Sequence, residues 1–172
     1  MSGSRAVSRG RTITEADVAQ FAALTGDMHP QHTDAVWAAG SRFGERVAHG
    51  MLVLSYAVGL VEFDPARVVA LRRVSNAVFK RPVALGETIH VESAVEAVEE
   101  LDGEHSLVTC GWRVLNQDGR LVARATVELV WRDDPGAPGG GGESAASLSG
   151  RDGSSLSDSA AAFEDDFVPI PL

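Results

Sequence analysis

Apolar residues near the start of the chain recur at the spacing of a helix face. Thr14 precedes this pattern and Asp17 follows three positions later, a pairing that commonly caps the start of a helix. Gly26 interrupts the spacing and should end the helix. A second, shorter helix is predicted over residues 34–39, with Gly40 after it.

The run from 51 to 63 is apolar almost all round. A helix without a polar face is usually surrounded by protein, so this segment is predicted to be a buried helix. Asp64 and Pro65 follow the run and should end the helix. No stretch of the chain approaches the length needed to span a bilayer, so we expect no membrane partner.

Between residues 67 and 132 the pattern changes to alternating runs rich in Val, Thr and Ile. These runs predict strands at 68–80, 88–101, 106–116 and 121–132. Asp-Gly pairs at 102–103 and 118–119 separate the last three strands and indicate antiparallel hairpins. Such a sheet needs one face covered, and the buried helix is the natural cover. The predicted class is therefore α+β.

The composition divides the chain into four segments. A flexible N-terminus is predicted at 1–10, followed by one folded domain at 11–134. Residues 135–162 are rich in Gly and Ser and cannot bury enough apolar area to order themselves, so we expect a disordered acidic linker. The last segment, 163–172, regains apolar residues and carries two prolines, which favour an extended peptide.

Charge and cysteine usage narrow the classes of function. The net charge of −9 argues against a nucleic-acid partner, because phosphate binding depends on clustered Lys and Arg. Cys110 is the only cysteine, so an internal disulfide cannot form, and residues 1–11 lack the apolar core of a signal peptide, so none is expected. We therefore expect a cytoplasmic protein. His90 and His105 give no metal-ligand spacing, and no metal is expected.

The segment FAALTGDMHPQH at 21–32 resembles the hydratase motif of the MaoC and (R)-specific enoyl-CoA hydratase family, usually written Gly-Asp-x-Asn-Pro-x-His. Further matches follow in the family's order. They are SRFG at 41–44, VAHGM at 47–51, FKRPV at 79–83 and Gly-Glu at 86–87. Motifs that match jointly in order and spacing are far more specific than any one of them.

This resemblance implies a single hotdog fold, an antiparallel sheet wrapped around a central apolar helix. It also implies a homodimer with an acyl-thioester tunnel along the interface. The implied activity is that of a lyase that interconverts (R)-3-hydroxyacyl and trans-2-enoyl thioesters. The substrate would be carried on CoA or on the phosphopantetheine of an acyl carrier protein, and no cofactor is expected.

The same resemblance implies that Asp27 and His32 face the substrate. Adding or removing water across a double bond needs one group at the Cα proton and another at the Cβ oxygen, and a carboxylate and an imidazole can divide that work. We assign the Cα proton to His32 and the departing hydroxyl to Asp27. The backbone N–H of Gly50, at the start of the buried helix, is suited to stabilise negative charge on the thioester oxygen.

Six further residues are candidate substrate contacts: His29, Pro30, His49, Met51, Lys80 and Arg81. His29 replaces the family's usual Asn, whose hydrogen bonds an imidazole reproduces only in part. His29 is also interpretable as a hydrated imidazole without a catalytic part, and His49 as a residue that sets the turn before the helix. The two basic residues suit the phosphates of CoA, or are simply solvated.

Plainer interpretations of the motif stay open. A Gly-Asp pair after a helix is often a cap followed by an Asx turn, and His32 suits the polar start of the next helix. Two other functions are compatible with the resemblance. One is a hotdog thioesterase in which Asp27 activates water, and the other is a non-catalytic acyl-binding or adaptor subunit.

The C-terminal peptide is a candidate docking element. Its apolar anchors are Phe163, Phe167, Val168, Ile170 and Leu172, interspersed with acids. Short peptides of this form add to sheet edges or fill grooves. The hypothesis is recruitment to a polyketide or related synthase whose carrier protein presents the acyl chain, and the alternative is a disordered tail with incidental apolar residues.

Overall fold

The computed structural model describes residues 5–134, which form four helices and a six-stranded sheet. The helices are α1 (Glu15–Thr25), α2 (Pro30–Thr33), α3 (Ala35–Ala39) and α4 (Gly50–Leu60). The strands are β1 (Arg5–Val7), β2 (Arg11–Thr12), β3 (Val68–Phe79), β4 (Thr88–Asp102), β5 (His105–Asn116) and β6 (Leu121–Arg132). None of these helices has the length and apolar character needed to cross a membrane. The predicted linker and docking peptide lie outside the described residues.

Helix α1 begins and ends where its sequence indicates. Thr14 accepts a hydrogen bond from the Asp17 N–H, and the Asp17 carboxylate accepts one from the Thr14 N–H, which forms a complete capping box. At the other end Gly26 adopts the left-handed conformation with φ 78° and donates to the Ala22 carbonyl. This sharp stop directs the chain into the loop that carries Asp27.

Helix α4 is the apolar centre of the domain. Its buried residues are Leu52, Val53, Leu54, Ala57 and Leu60. The helix ends at Leu60, because Val61 is already extended, whereas the sequence pattern predicted helix to residue 63. Apolar character extends beyond the helix because Phe63 packs on Trp112 of the sheet, with ring centroids 6.1 Å apart.

The sheet has the order β1-β4-β5-β6-β3, with β2 also paired to β4, and all pairs are antiparallel. The four predicted strands match β3 to β6 within one residue at each end. Both Asp-Gly hairpins are present, since β4 pairs with β5 and β5 with β6. Strand β3 ends the order, so its outer edge has no partner within the described part of the chain.

The hydrophobic core lies between α4 and one face of this sheet. Trp112, Val114, Val91 and Val127 are almost completely buried there and belong to one cluster with the buried side of α4. Each such aliphatic side chain contributes about 1.5–3 kcal/mol on burial. The arrangement confirms the predicted α+β class with the apolar helix as the cover of the sheet.

Three short elements were not predicted from the sequence, and one of them is β2, which pairs with β4. Residues 1–10 were predicted to be flexible, but Arg5–Val7 forms β1 and pairs with β4. A strand of three residues has too little alternation to be recognised, and its partner lies far away in the chain. Helix α2 was also missed, because a helix of four residues carries no periodic pattern.

Candidate active site

The loop after α1 exposes the Asp27 carboxylate. Its side chain keeps 54% of its accessible surface, and one carboxylate oxygen accepts a hydrogen bond from the His29 N–H at 3.3 Å. This is the Asx turn of the plainer interpretation, and it leaves the second carboxylate oxygen available. The carboxylate can therefore serve both the turn and a ligand.

His32 lies in α2 and is only 5% exposed. Its Nδ1 is 2.6 Å from the carbonyl oxygen of Val47. A carbonyl can only accept, so Nδ1 of the neutral ring carries the proton and Nε2 carries the lone pair. The Gln31 side-chain amide lies 3.0 Å from that Nε2 and can donate to it. The Val47 carbonyl thus prepares Nε2 of His32 to act as a base.

Burial sets the proton affinity of this ring. Burial lowers the pKa of His32 below the ordinary value for histidine, and the neighbouring His49 and His29 rings lower it further. The hydrogen bond to Val47 and the charge of Asp27 act in the opposite direction. The net effect favours the neutral imidazole, which is the form that can accept a proton.

A second imidazole lies directly against the first. His49 stacks on His32 with ring centroids 3.7 Å apart and an angle of 25° between the rings. Its Nε2 is 3.0 Å from the backbone oxygen of Asp27 and 3.9 Å from a carboxylate oxygen of the same residue. Asp27, His32 and His49 therefore form one cluster, although they come from three separate segments.

The start of α4 borders this cluster. His49 is the N-cap residue of α4, and its side chain makes no capping hydrogen bond to the first turn. The Phe79 ring packs against the Cα of Gly50, because a Cβ added there would lie 3.0 Å from the ring. The first backbone amides of α4 therefore lie at Gly50, which has no side chain, next to the Phe79 ring and the His49 imidazole.

The three clustered side chains can each offer an atom within 4.8 Å of the others, which is within reach of one metal ion. A zinc ion needs converging ligands at about 2.0–2.2 Å. One nitrogen of each stacked ring already faces a main-chain carbonyl, that of Val47 for His32 and that of Asp27 for His49, which leaves a single nitrogen of each ring for a metal. This geometry suits proton transfer better than metal coordination.

Comparison with known proteins identifies the family. A family model described as MaoC-like domain matches residues 3–116.

The chain belongs to the MaoC-like domain family.

Curated relatives agree with this assignment. The chain is 33% identical over 116 residues to an (R)-specific enoyl-CoA hydratase of Aeromonas caviae, covering 66% of this chain and 84% of the relative. It is 43% identical over 90 residues to Protein MaoC of Klebsiella aerogenes, covering 52% of this chain but only 27% of that protein. The resemblance inferred from the motifs is confirmed.

Solved structures of the same family share the fold. A protein of Archaeoglobus described as a monoamine oxidase regulatory protein superposes with a TM-score of 0.74 at 36% identity, covering 78% of this chain and 92% of that one. The (R)-hydratase of A. caviae gives a TM-score of 0.65 at 29% identity, covering 75% and 95%. The predicted single hotdog fold is confirmed.

Within this MaoC-like domain, the substitution at His29 has a local structural role. His29 is the N-cap of α2, and its Nδ1 accepts a hydrogen bond from the Gln31 N–H at 3.2 Å. Its ring meets Trp37 edge-on at 5.3 Å. An imidazole nitrogen thus accepts from the backbone where the family's usual Asn has an amide oxygen.

The other candidate contacts have different surroundings. Pro30 is the first residue of α2, and Met51 follows Gly50 with 56% of its surface exposed. The Arg81 guanidinium donates to the Leu121 carbonyl at 2.7 Å, and the Lys80 backbone N–H bonds to Val122 at 2.8 Å. These bonds attach the two residues that follow β3 to β6. The candidate docking residues lie outside the described part of the chain.

Three contributors to the cluster were missed by the sequence analysis. The Val47 carbonyl and the Gln31 amide hold the two nitrogens of His32, and Phe79 covers Gly50. Val47, Gln31 and Phe79 all lie inside the matched motifs, which is the only sequence pattern that points to them. A main-chain acceptor leaves no trace in residue type, so the role of the Val47 carbonyl could not have been found from the sequence.

Proposed function

We propose that this MaoC-like domain interconverts trans-2-enoyl and (R)-3-hydroxyacyl thioesters by adding and removing water. The observation that carries the proposal is the His32 ring, whose proton is held at Nδ1 by Val47, while the ring clusters with Asp27 and stacks on His49, the N-cap residue of α4. Family membership makes the chain a hydro-lyase. One relative is named (R)-specific enoyl-CoA hydratase, and another 3-hydroxybutyryl-CoA dehydratase.

In the dehydration direction, the Gln31 amide gives up its contact with Nε2 of His32, and this nitrogen takes the proton from Cα of the 3-hydroxyacyl group. The Cα–H electron pair becomes the new double bond, and the bond between Cβ and the hydroxyl breaks. The imidazolium of His32 returns its proton to the leaving hydroxyl, which departs as water, while Asp27 orients that hydroxyl by accepting its hydrogen bond. Hydration follows the same path in reverse.

Loss of the Cα proton places negative charge on the thioester oxygen. The first backbone amides of α4, at Gly50 and Met51, have no acceptor within their own helix, and the helix dipole favours negative charge at this end. Removing one donor of this type typically costs about 100- to 1,000-fold in kcat. We assign the oxyanion donor to the Gly50 N–H.

The acyl chain needs a site closed to water, whereas one copy of the domain leaves Asp27 half exposed. We propose that two copies pair through the outer edge of β3, where Val69, Leu71 and Phe79 each keep more than 40% of their surface exposed. Exposed apolar residues on an unpaired strand edge are typical of a strand that pairs with another chain. The second copy would complete the tunnel.

The test uses trans-2-butenoyl-CoA with the wild-type chain and the Asp27→Asn and His32→Ala variants. With the wild type, the absorbance of the enoyl group should fall while the thioester stays intact. Each variant should retain its fold and have a kcat at least about 100-fold lower. Free acid and free CoA as products would instead indicate a thioesterase. Binding without turnover by the wild type would indicate an adaptor. Wild-type rates in both variants would contradict the proposal.

We also propose that carrier-bound substrates reach the domain through the C-terminal peptide, as part of a polyketide or related synthase system. The support is the composition of residues 163–172, which combines apolar anchors with acids after a long polar segment. Full-length chain and a chain ending at residue 134 are compared on CoA-bound and carrier-bound substrates in the presence of the synthase. Equal rates on carrier-bound substrate would contradict recruitment.

A further inference from the structure

The His49 ring is buried and is held by two aromatic contacts and one hydrogen bond. It is 3% exposed and contacts the rings of His32 and Phe21, with centroid distances of 3.7 Å and 5.1 Å. Its Nε2 faces the Asp27 carbonyl at 3.0 Å, so Nε2 of the neutral ring carries the proton. This bond joins positions 22 residues apart, and it connects the loop after α1 with the residue that begins α4.

A comparison of two N-cap histidines shows that the His49 side chain does not cap its helix. His29 and His49 are both N-cap residues, and the His29 ring accepts a hydrogen bond from the first turn of α2. The His49 ring makes no such bond to α4 and turns toward Asp27 instead. Its Nδ1 is left buried without a hydrogen-bond partner in the described residues. Both features cost stability, so they need a compensating role.

The three groups assigned to the reaction all touch this ring or adjoin it. Asp27 accepts its hydrogen bond, His32 stacks on its face, and Gly50 is the next residue in the chain. Because His49 does not cap α4, the first amides of that helix stay available to a ligand. The His49 side chain therefore contacts or adjoins all three groups, the Asp27 carboxylate, the His32 base and the Gly50 amide, and can hold them in a fixed arrangement.

We propose that His49 is a positioning residue that holds the His32 ring and the Asp27 loop against the uncapped start of α4. This inference deepens the proposed function and rests on it. His49 acts through His32 and Asp27 without touching the reacting atoms. A group that sets geometry should affect the chemical step more than substrate binding.

Two variants separate the two contacts of the ring. His49→Phe keeps a flat ring to stack on His32 but loses the donor to Asp27, whereas His49→Gln keeps a donor and loses the stacking. With trans-2-butenoyl-CoA, His49→Phe should lower kcat at least about tenfold with little change in KM, and His49→Gln should recover part of that loss. Val127→Ala, a core substitution in β6 remote from these contacts, is the control for destabilisation.

A second measurement does not depend on turnover. The charged or titratable groups that face His32 are Asp27, His29 and His49, and His49 contributes to lowering the pKa of His32. NMR titration of the ¹⁵N-labelled His32 ring should therefore show a raised pKa in His49→Phe. The wild-type assay tests the proposed function, and this titration tests the contact between the two rings whatever the substrate. An unchanged His32 titration, or a kcat loss no greater than that of Val127→Ala at equal thermal stability, overturns the proposal.

Discussion

The lowered pKa of His32 has a direct consequence for the pH dependence of the reaction. Burial is the largest cause of the lowering, and the base must be neutral to accept a proton. We expect kcat/KM for trans-2-enoyl-CoA hydration to stay level as the pH falls through 6.5, the ordinary value for histidine, and to decline only at lower pH. A pH profile at constant ionic strength measures this. A loss of activity on the acidic side with a midpoint at pH 6.5 or above would contradict the assignment of His32 as the base.

The Phe79 ring occupies the space that a side chain at Gly50 would need. An alanine Cβ would lie 3.0 Å from the Phe79 ring, which must then move away from the start of α4. We expect Gly50→Ala to lower kcat/KM about tenfold or more with only a small change in melting temperature, because the ring is partly exposed and able to shift. The double variant Gly50→Ala/Phe79→Ala relieves the contact. If the loss of kcat/KM in the double variant, expressed as a free energy, equals the sum of the losses in the two single variants, the two positions are not coupled.

At the scale of the elements, α1 is stabilised by a polar network around Asp17. Burial alone would raise the pKa of Asp17, but hydrogen bonds from Tyr56, Thr14 and Arg11 lower it to about 2. This network attaches the start of α1 to β2 and to α4, and α1 in turn ends at the loop that carries Asp27. The position of the carboxylate thus depends on contacts at the opposite end of its helix.

Replacing Asp17 by Asn should lower the free energy of unfolding by about 1–2 kcal/mol at neutral pH, through the lost cap and ion pair. A carboxyl whose pKa is depressed by folding stabilises the protein above its ordinary pKa of 3.8, and this contribution is lost as the pH falls toward 2. Urea unfolding of both proteins between pH 7 and pH 2.5 measures the difference. If the difference in free energy of unfolding between the two proteins does not decrease toward pH 2.5, the charge of Asp17 does not contribute to stability.

At the scale of the whole molecule, the unpaired edge of β3 predicts the assembly. The double variant Val69→Lys/Leu71→Lys places two charges on that edge and should weaken self-association at least about tenfold, with activity lost in parallel. Val98→Lys is the control, because Val98 is equally exposed but lies on β4. Sedimentation measures the association. A dimer that persists in the double variant at wild-type strength would place the interface on another surface.

The sequence predicted most of this molecule, and the omissions have physical causes. Strands β3 to β6 and helices α1 and α4 repeat their apolar pattern often enough to be recognised. Helix α3 was predicted from the Gly40 that follows it, and Asp27 and His32 were found through a motif. The stacking of His49 on His32 depends on how α4 and α2 pack, which no local pattern encodes. The pairing of β1 with β4 depends likewise on tertiary structure, because it joins residues some 85 positions apart, such as Val7 and Glu92.

The orientation of His32 comes from a main-chain oxygen, and this affects how the site tolerates sequence drift. Any residue type at position 47 presents the same carbonyl, provided that its side chain fits the buried space now filled by Val47. Substitutions there should alter thermal stability while leaving the tautomer of the imidazole unchanged. The side chain at position 47 can therefore change during evolution without changing which nitrogen of His32 acts as the base.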